Sequence, residues 1–153
     1  MITPYNPNIP VVIVHPFYTF QFDFTLDFTN PVFRSVPDYS YLVNLARLLR
    51  NHNREIIILD EENKLALTRK RVDFIRERNS VEYIPTEQST SYPINGWSPL
   101  FDRLREIHSK EVGLAGGYYL NSPEHGELGC LGNTAVELKI DGFITYIFEG
   151  HHF

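Results

Sequence analysis

PVVIVHP, residues 10–16, is the stretch that decides the fold. Val11, Val12, Ile13 and Val14 follow one another with no polar residue between them. A strand exposed on one face alternates apolar and polar side chains; a strand without alternation is covered on both faces. The same short, uniform runs recur as EIIIL (55–59), VEYIP (81–85), VGLAGGYYL (112–120) and FITYIF (143–148).

Between these runs the apolar period changes to that of a helix. Asp38 is placed to cap a helix in which Leu42, Leu45, Leu48 and Leu49 share one face. KLALTRKRVDFIRERN (64–79) carries a thinner apolar set, Leu65, Val72, Phe74 and Ile75. Ser98-Pro99 supplies an N-cap and a proline at the first helical position, followed by Leu100, Phe101, Leu104 and Ile107. CLGNTAVELKI (130–140) is the fourth helix. Strands alternating with helices predict a single α/β domain over 1–153. Its form is a three-layer sandwich: a doubly wound, mostly parallel sheet of about five strands with helices on both faces.

The chain has 153 residues and a formal net charge of −5. That length buries a core without staples, and the negative balance argues against nucleic-acid binding. Its single cysteine, Cys130, rules out an internal disulfide framework and a cysteine-rich zinc site. A lone thiol, no signal-peptide pattern and no apolar run long enough for a membrane span lead to an expected cytoplasmic location with no membrane partner. TFQFDFTLDF (19–28) alternates strictly, with Phe20, Phe22, Phe24, Leu26 and Phe28 on one side. It reads as an extension of the first strand or an extended flap, and as a flap it needs covering, so a homo-oligomer is expected.

In a doubly wound sheet, ligands bind at the carboxyl ends of the strands. That edge collects 15–30, 60–64, 86–97, 121–130 and 149–153. The chemistry-bearing residues there include His15, Asp23, Glu61, Glu62, Glu87, His125 and Cys130. GELGCLGNT (126–134) places Cys130 between glycines where a helix begins. Unpaired N–H groups at a helix start favour a thiolate and bind an oxyanion. The functional reading makes Cys130 a nucleophile, His125 or His15 its base, and Glu87 or Asp23 the residue that orients the base. Against it stands a simpler reading, a small buried side chain at a tight turn. His15, His125, His151 and His152 with Glu149 are of metal-ligating type, but no H-E-x-x-H spacing is present, and neither metal nor cofactor is expected. The basic run from Lys64 to Arg78 is interleaved with acids and reads as a solvated helix face.

The second half also resembles the isochorismatase-like cysteine hydrolases, over roughly 81–148. The likeness rests on YIPTEQSTSYPINGWSPLFDRLREIHSKEVGLAGGYYL (83–120) and GCLGNTAVELKIDGFITYI (129–147). Phe101 and Leu104, Gly116-Gly117, Cys130, Thr134-Ala135 and Gly142-Phe143 occur in the family's order. The resemblance implies the α/β fold and a cysteine nucleophile at position 130. The family's aspartate and lysine have no matching residue. Strand 1 ends in His15-Pro16, Asp23 lies eight residues further on, and EYIPTEQSTSY (82–92) holds no lysine. Two functions stay open: a cysteine-dependent hydrolase of a small amide or ester with an incomplete family triad, and a catalytically inactive protein of this fold that binds a small anion or serves assembly.

Overall fold

Val11–Val14 forms β1, and all four side chains are fully buried. In this computed structural model the described residues are 9–17, 39–51, 53–76, 81–118, 120–122 and 127–152. Asp23, the alternating stretch 19–28, the Asp38 cap, Glu124 and His125 lie outside them.

The chain continues through α1 (Tyr39–Leu49), β2 (Ile56–Glu61), a short 3-10 turn (Glu62–Lys64), α2 (Leu65–Ile75) and β3 (Val81–Thr86). Then come α3 (Ser98–Glu106), β4 (Glu111–Gly116), β5 (Leu120–Ser122), β6 (Glu127–Leu128), α4 (Cys130–Ile140) and β7 (Ile144–His152). Five strands make one sheet in the order β3-β2-β1-β4-β7, and every pairing in it is parallel. β5 and β6 form a separate antiparallel pair.

The sheet has a core on each face, and the period of the strands explains it. Val11, Ile13, Ile56 and Ile58 point one way, into Leu42, Leu45, Leu48 and Leu49 of α1 and Val72 and Ile75 of α2. Val12, Val14, Ile57 and Leu59 point the other way, into Leu100 and Leu104 of α3 and Leu131, Ala135 and Leu138 of α4. Each of these buried aliphatic side chains stabilises by about 1.5–3 kcal/mol, which is why the central strands carry no polar alternation.

Several expectations change in detail. In α2 the inward face is Thr68, Arg71, Val72 and Ile75, at helical spacing, so Phe74 turns outward and is 64% exposed. The residue preceding α3 is Trp97, and Ser98 is its first helical residue, with no side-chain cap. β4 stops at Gly116 instead of running through Leu120. Gly116 has φ +99°, and a Cβ there would meet the Val14 carbonyl oxygen at 2.0 Å. Only glycine accepts both conditions, and the turn ends the strand. β1 likewise ends at Val14: His15 sits at φ +44°, so the first strand does not run on unbroken.

Candidate functional site

β1, β2 and β3 succeed one another toward one edge, whereas β4 and β7 lie on the other side of β1. The reversal falls between β1 and β4, whose carboxyl ends frame the crevice where such sheets bind ligands. Val14 pairs with Gly116 on one side and with Leu59 on the other. This register sets the residue after β1, His15, beside the end of β2 and the turn after β4.

His15 is 2% exposed and its ring is held at both nitrogens. Nδ1 lies 2.9 Å from Asp60 Oδ1, and Nε2 lies 3.0 Å from the Thr90 carbonyl oxygen. The Cys130 side chain lies near enough to the ring to favour its protonated form. A carboxylate and a carbonyl both accept, so the two bonds are made together only by a doubly protonated imidazolium. Burial by itself pushes His15 down. Asp60, by its hydrogen bond and its negative charge, with Cys130 beside it, outweighs burial and raises it from 6.5 to about 9.

Asp60 is itself fixed. It is 4% exposed, and its Oδ2 accepts from Thr68 Oγ1 at 2.5 Å while Oδ1 also accepts from the Glu61 N–H at 2.9 Å. Next to it, buried Glu61 accepts from the Ser89 N–H at 3.1 Å and pairs with Lys64 at 3.3 Å. That contact ties the end of β2 to the loop after β3, which delivers the Thr90 carbonyl to His15.

Cys130 is the first residue of α4 and is partly exposed. It stands at the carboxyl edge of a sheet in which β1 and β4 are parallel neighbours, as the strand–glycine–cysteine–helix order predicts. The glycine before it serves a protein contact and not a ligand: a Cβ on Gly129 would meet the Tyr118 carbonyl oxygen at 2.4 Å. That carbonyl accepts from the Leu131 N–H at 2.8 Å and the Gly132 N–H at 3.4 Å. Two of the N–H groups expected to face an oxyanion are therefore spent. The Cys130 N–H has no acceptor among the described residues.

Cys130 opens onto a cleft of about 370 Å³ whose wall includes Glu87, Tyr92, Trp97, Val136 and Glu137. Among the sequence candidates, then, the structure brings Cys130 near His15 and puts Glu87 on the cleft wall. The carboxylate on the imidazole is Asp60, which sequence reasoning missed. The signal was present: Asp60 is the first charge after IIIL, at the carboxyl end of a strand with no other reason to turn polar. His151 lies elsewhere, buried edge-on against Phe148 in the other core, its Nδ1 donating to the Glu149 carbonyl at 2.9 Å. Among the described residues no group of three or more His, Cys, Asp or Glu side chains is placed to hold a metal ion, and no helix is long and apolar enough to cross a membrane.

Comparison of the chain with protein-family models, curated proteins and solved structures finds no match.

Proposed function

We propose that the protein is a cysteine-dependent hydrolase of a small amide or ester, with Cys130 as nucleophile, His15 as acid and base, and Asp60 as the positioning residue. The observation that carries this is the His15 ring, bonded through Nδ1 to buried Asp60 and close to Cys130, which lines a cleft. A nucleophile, a base beside it and a third group orienting the base is the arrangement that activated nucleophiles share.

In this reading the reactive form is a Cys130 thiolate beside a His15 imidazolium. Sγ adds to the substrate carbonyl carbon, and the carbonyl π electrons move to oxygen, where the Cys130 N–H donates to the oxyanion. Collapse breaks the bond to the leaving amine or alcohol, which takes its proton from His15 Nε2. Neutral His15 then removes a proton from water, the hydroxide adds to the thioester, and collapse returns the thiolate and releases the acid. Nε2 is the nitrogen that moves the proton, because Nδ1 stays on Asp60. The Thr90 carbonyl shares that N–H and keeps the ring plane fixed between turnovers.

If the chain is isochorismatase-like, His15 and Asp60 stand in for the family's aspartate and lysine as the proton-handling pair. The anion-binding alternative has less support, because the described cleft wall carries Glu87 and Glu137 and no lysine or arginine. A thiol that must stay reduced suits the cytoplasm, and the partner proposed is a small-molecule substrate.

The test is acylation by 4-nitrophenyl acetate followed by mass spectrometry. One acetyl group on Cys130, then turnover, is expected. His15→Gln and Asp60→Asn should each slow turnover by roughly 10²–10⁴-fold, the usual worth of a positioned acid–base group. Acetylation without turnover, or an unchanged rate in Cys130→Ala, would overturn the reading.

A further inference from the structure

We propose that the substrate's acyl portion is a flat apolar group ending in a cation that pairs with Glu137, about two helical turns along α4 from Cys130. The inference rests on the hydrolase reading only for where the carbonyl sits.

The length comes from α4. Cys130, Val136 and Glu137 all face the cleft, and positions 130 and 137 are seven residues apart on one helical stripe. At about 1.5 Å per residue, Glu137 lies about 10 Å further along α4 than Cys130, and a cation paired with its carboxylate sits a few ångströms short of that. The flatness comes from the aromatic residues that line the same cleft. Tyr92 meets Trp97 edge-on, with centroids 5.9 Å apart, and Trp97 stacks on Phe101 at 6.3 Å, so the aromatic surface is braced from behind. Tyr92 is 54% exposed and Val136 40% exposed, so apolar surface is open within one cleft. A planar ligand there would cover it, and aromatic faces favour rings and cations.

The charge comes from Glu87 and Glu137, the two ionisable acids on the wall, with no lysine or arginine among the described lining residues. A carboxylate or phosphate at that end of the ligand would face only like charge, whereas a guanidinium or ammonium group would be paired. At about 370 Å³ the cleft lies in the range that holds one small ligand.

Trp97 is the chain's only tryptophan, so its fluorescence reports occupancy without turnover. The experiment titrates the Cys130→Ala protein with 4-guanidinobenzamide, 4-isopropylbenzamide and 4-carbamoylbenzoate. The guanidinium compound should bind at least about tenfold tighter than the neutral one, and the carboxylate weakest, in line with a cation–π contact and an ion pair together. Glu137→Gln in the same background should remove most of that preference for the guanidinium compound over the neutral one. Equal affinity for all three, preference for the carboxylate, or no binding by any of them would overturn the proposal. A wild type that binds the guanidinium amide but never cleaves esters or amides would instead sink the hydrolase reading and leave this one standing.

Discussion

Removing the charge of Asp60 should flatten the stability of this protein against pH, because His15 draws its proton affinity from that residue. Asp60→Asn keeps the shape and one oxygen for the Glu61 N–H and His15, turns an NH2 toward the Thr68 hydroxyl, and removes the negative charge that His15 faces at 2.9 Å. In the folded protein His15 is raised from 6.5 to about 9, against the downward push of burial, by its hydrogen bond to Asp60 and that residue's charge, with Cys130 beside it. The folded value lies above the unfolded one. The stabilisation is therefore complete below about pH 6.5 and is lost as pH rises through about 9. A rise from 6.5 to about 9, at about 1.4 kcal/mol per unit, corresponds to about 3 kcal/mol across that window. With a urea m-value of about 2 kcal/mol per M, the midpoint should fall by about 1.5 M between pH 6 and pH 9.5. Urea unfolding of wild type and Asp60→Asn at both pH values measures it, and the His15 ring carbon resonance followed by NMR assigns the proton. Asp60→Asn should be clearly less stable than wild type at pH 6 and much closer to it at pH 9.5. A wild-type midpoint that is flat over this range, or an equal slope in Asp60→Asn, would refute the reasoning.

Iodoacetamide should alkylate Cys130 in the native protein at pH 7, and His15→Gln should slow the reaction at least about tenfold; a thiol that reacts only after denaturation would favour a structural cysteine. Gly129→Ala drives a Cβ into the Tyr118 carbonyl, so it should cost about 1–3 kcal/mol in urea unfolding and slow the same alkylation, since the start of α4 must move. Arg76 is 1% exposed and spans the carbonyls of Leu49, Asn51 and Arg54 at 2.9–3.2 Å. Arg76→Met should destabilise by about 3 kcal/mol or more, and Arg76→Lys should not restore what a planar fork supplied. Sedimentation should show wild type as a homo-oligomer and a Phe22→Ser, Phe24→Ser variant as a folded smaller species; a monomeric wild type would end that expectation.

Local pattern settled the four helices and the five strands of the sheet, though not the short β5–β6 pair. Val11–Val14 is apolar without a break, so a strand covered on both faces was legible from residues 10–16, and the alternation of such runs with helices made the sheet parallel. Leu42, Leu45, Leu48 and Leu49 declared their buried face by spacing, and all four are in the core. Cys130 between glycines announced the start of α4, because chain direction and helix period are properties of neighbours. Phe74 shows where period reading weakens: with few apolar residues, the face of α2 is chosen by what it packs against, and Arg71 goes inside while Phe74 goes out.

The site belongs to the tertiary structure. His15 and Asp60 are 45 residues apart, and His15 and Thr90 are 75 apart. No periodicity links such positions; they meet because parallel pairing sets Val14 beside Leu59 and Gly116 and so fixes which loop ends share the crevice. The sequence offered Glu87 or Asp23 to orient the base, and composition does not rank the acids at this edge. Register does, since it leaves Asp60 with Thr68, the Glu61 N–H and His15 as its donors, in a place where an unpaired charge would be too costly to bury.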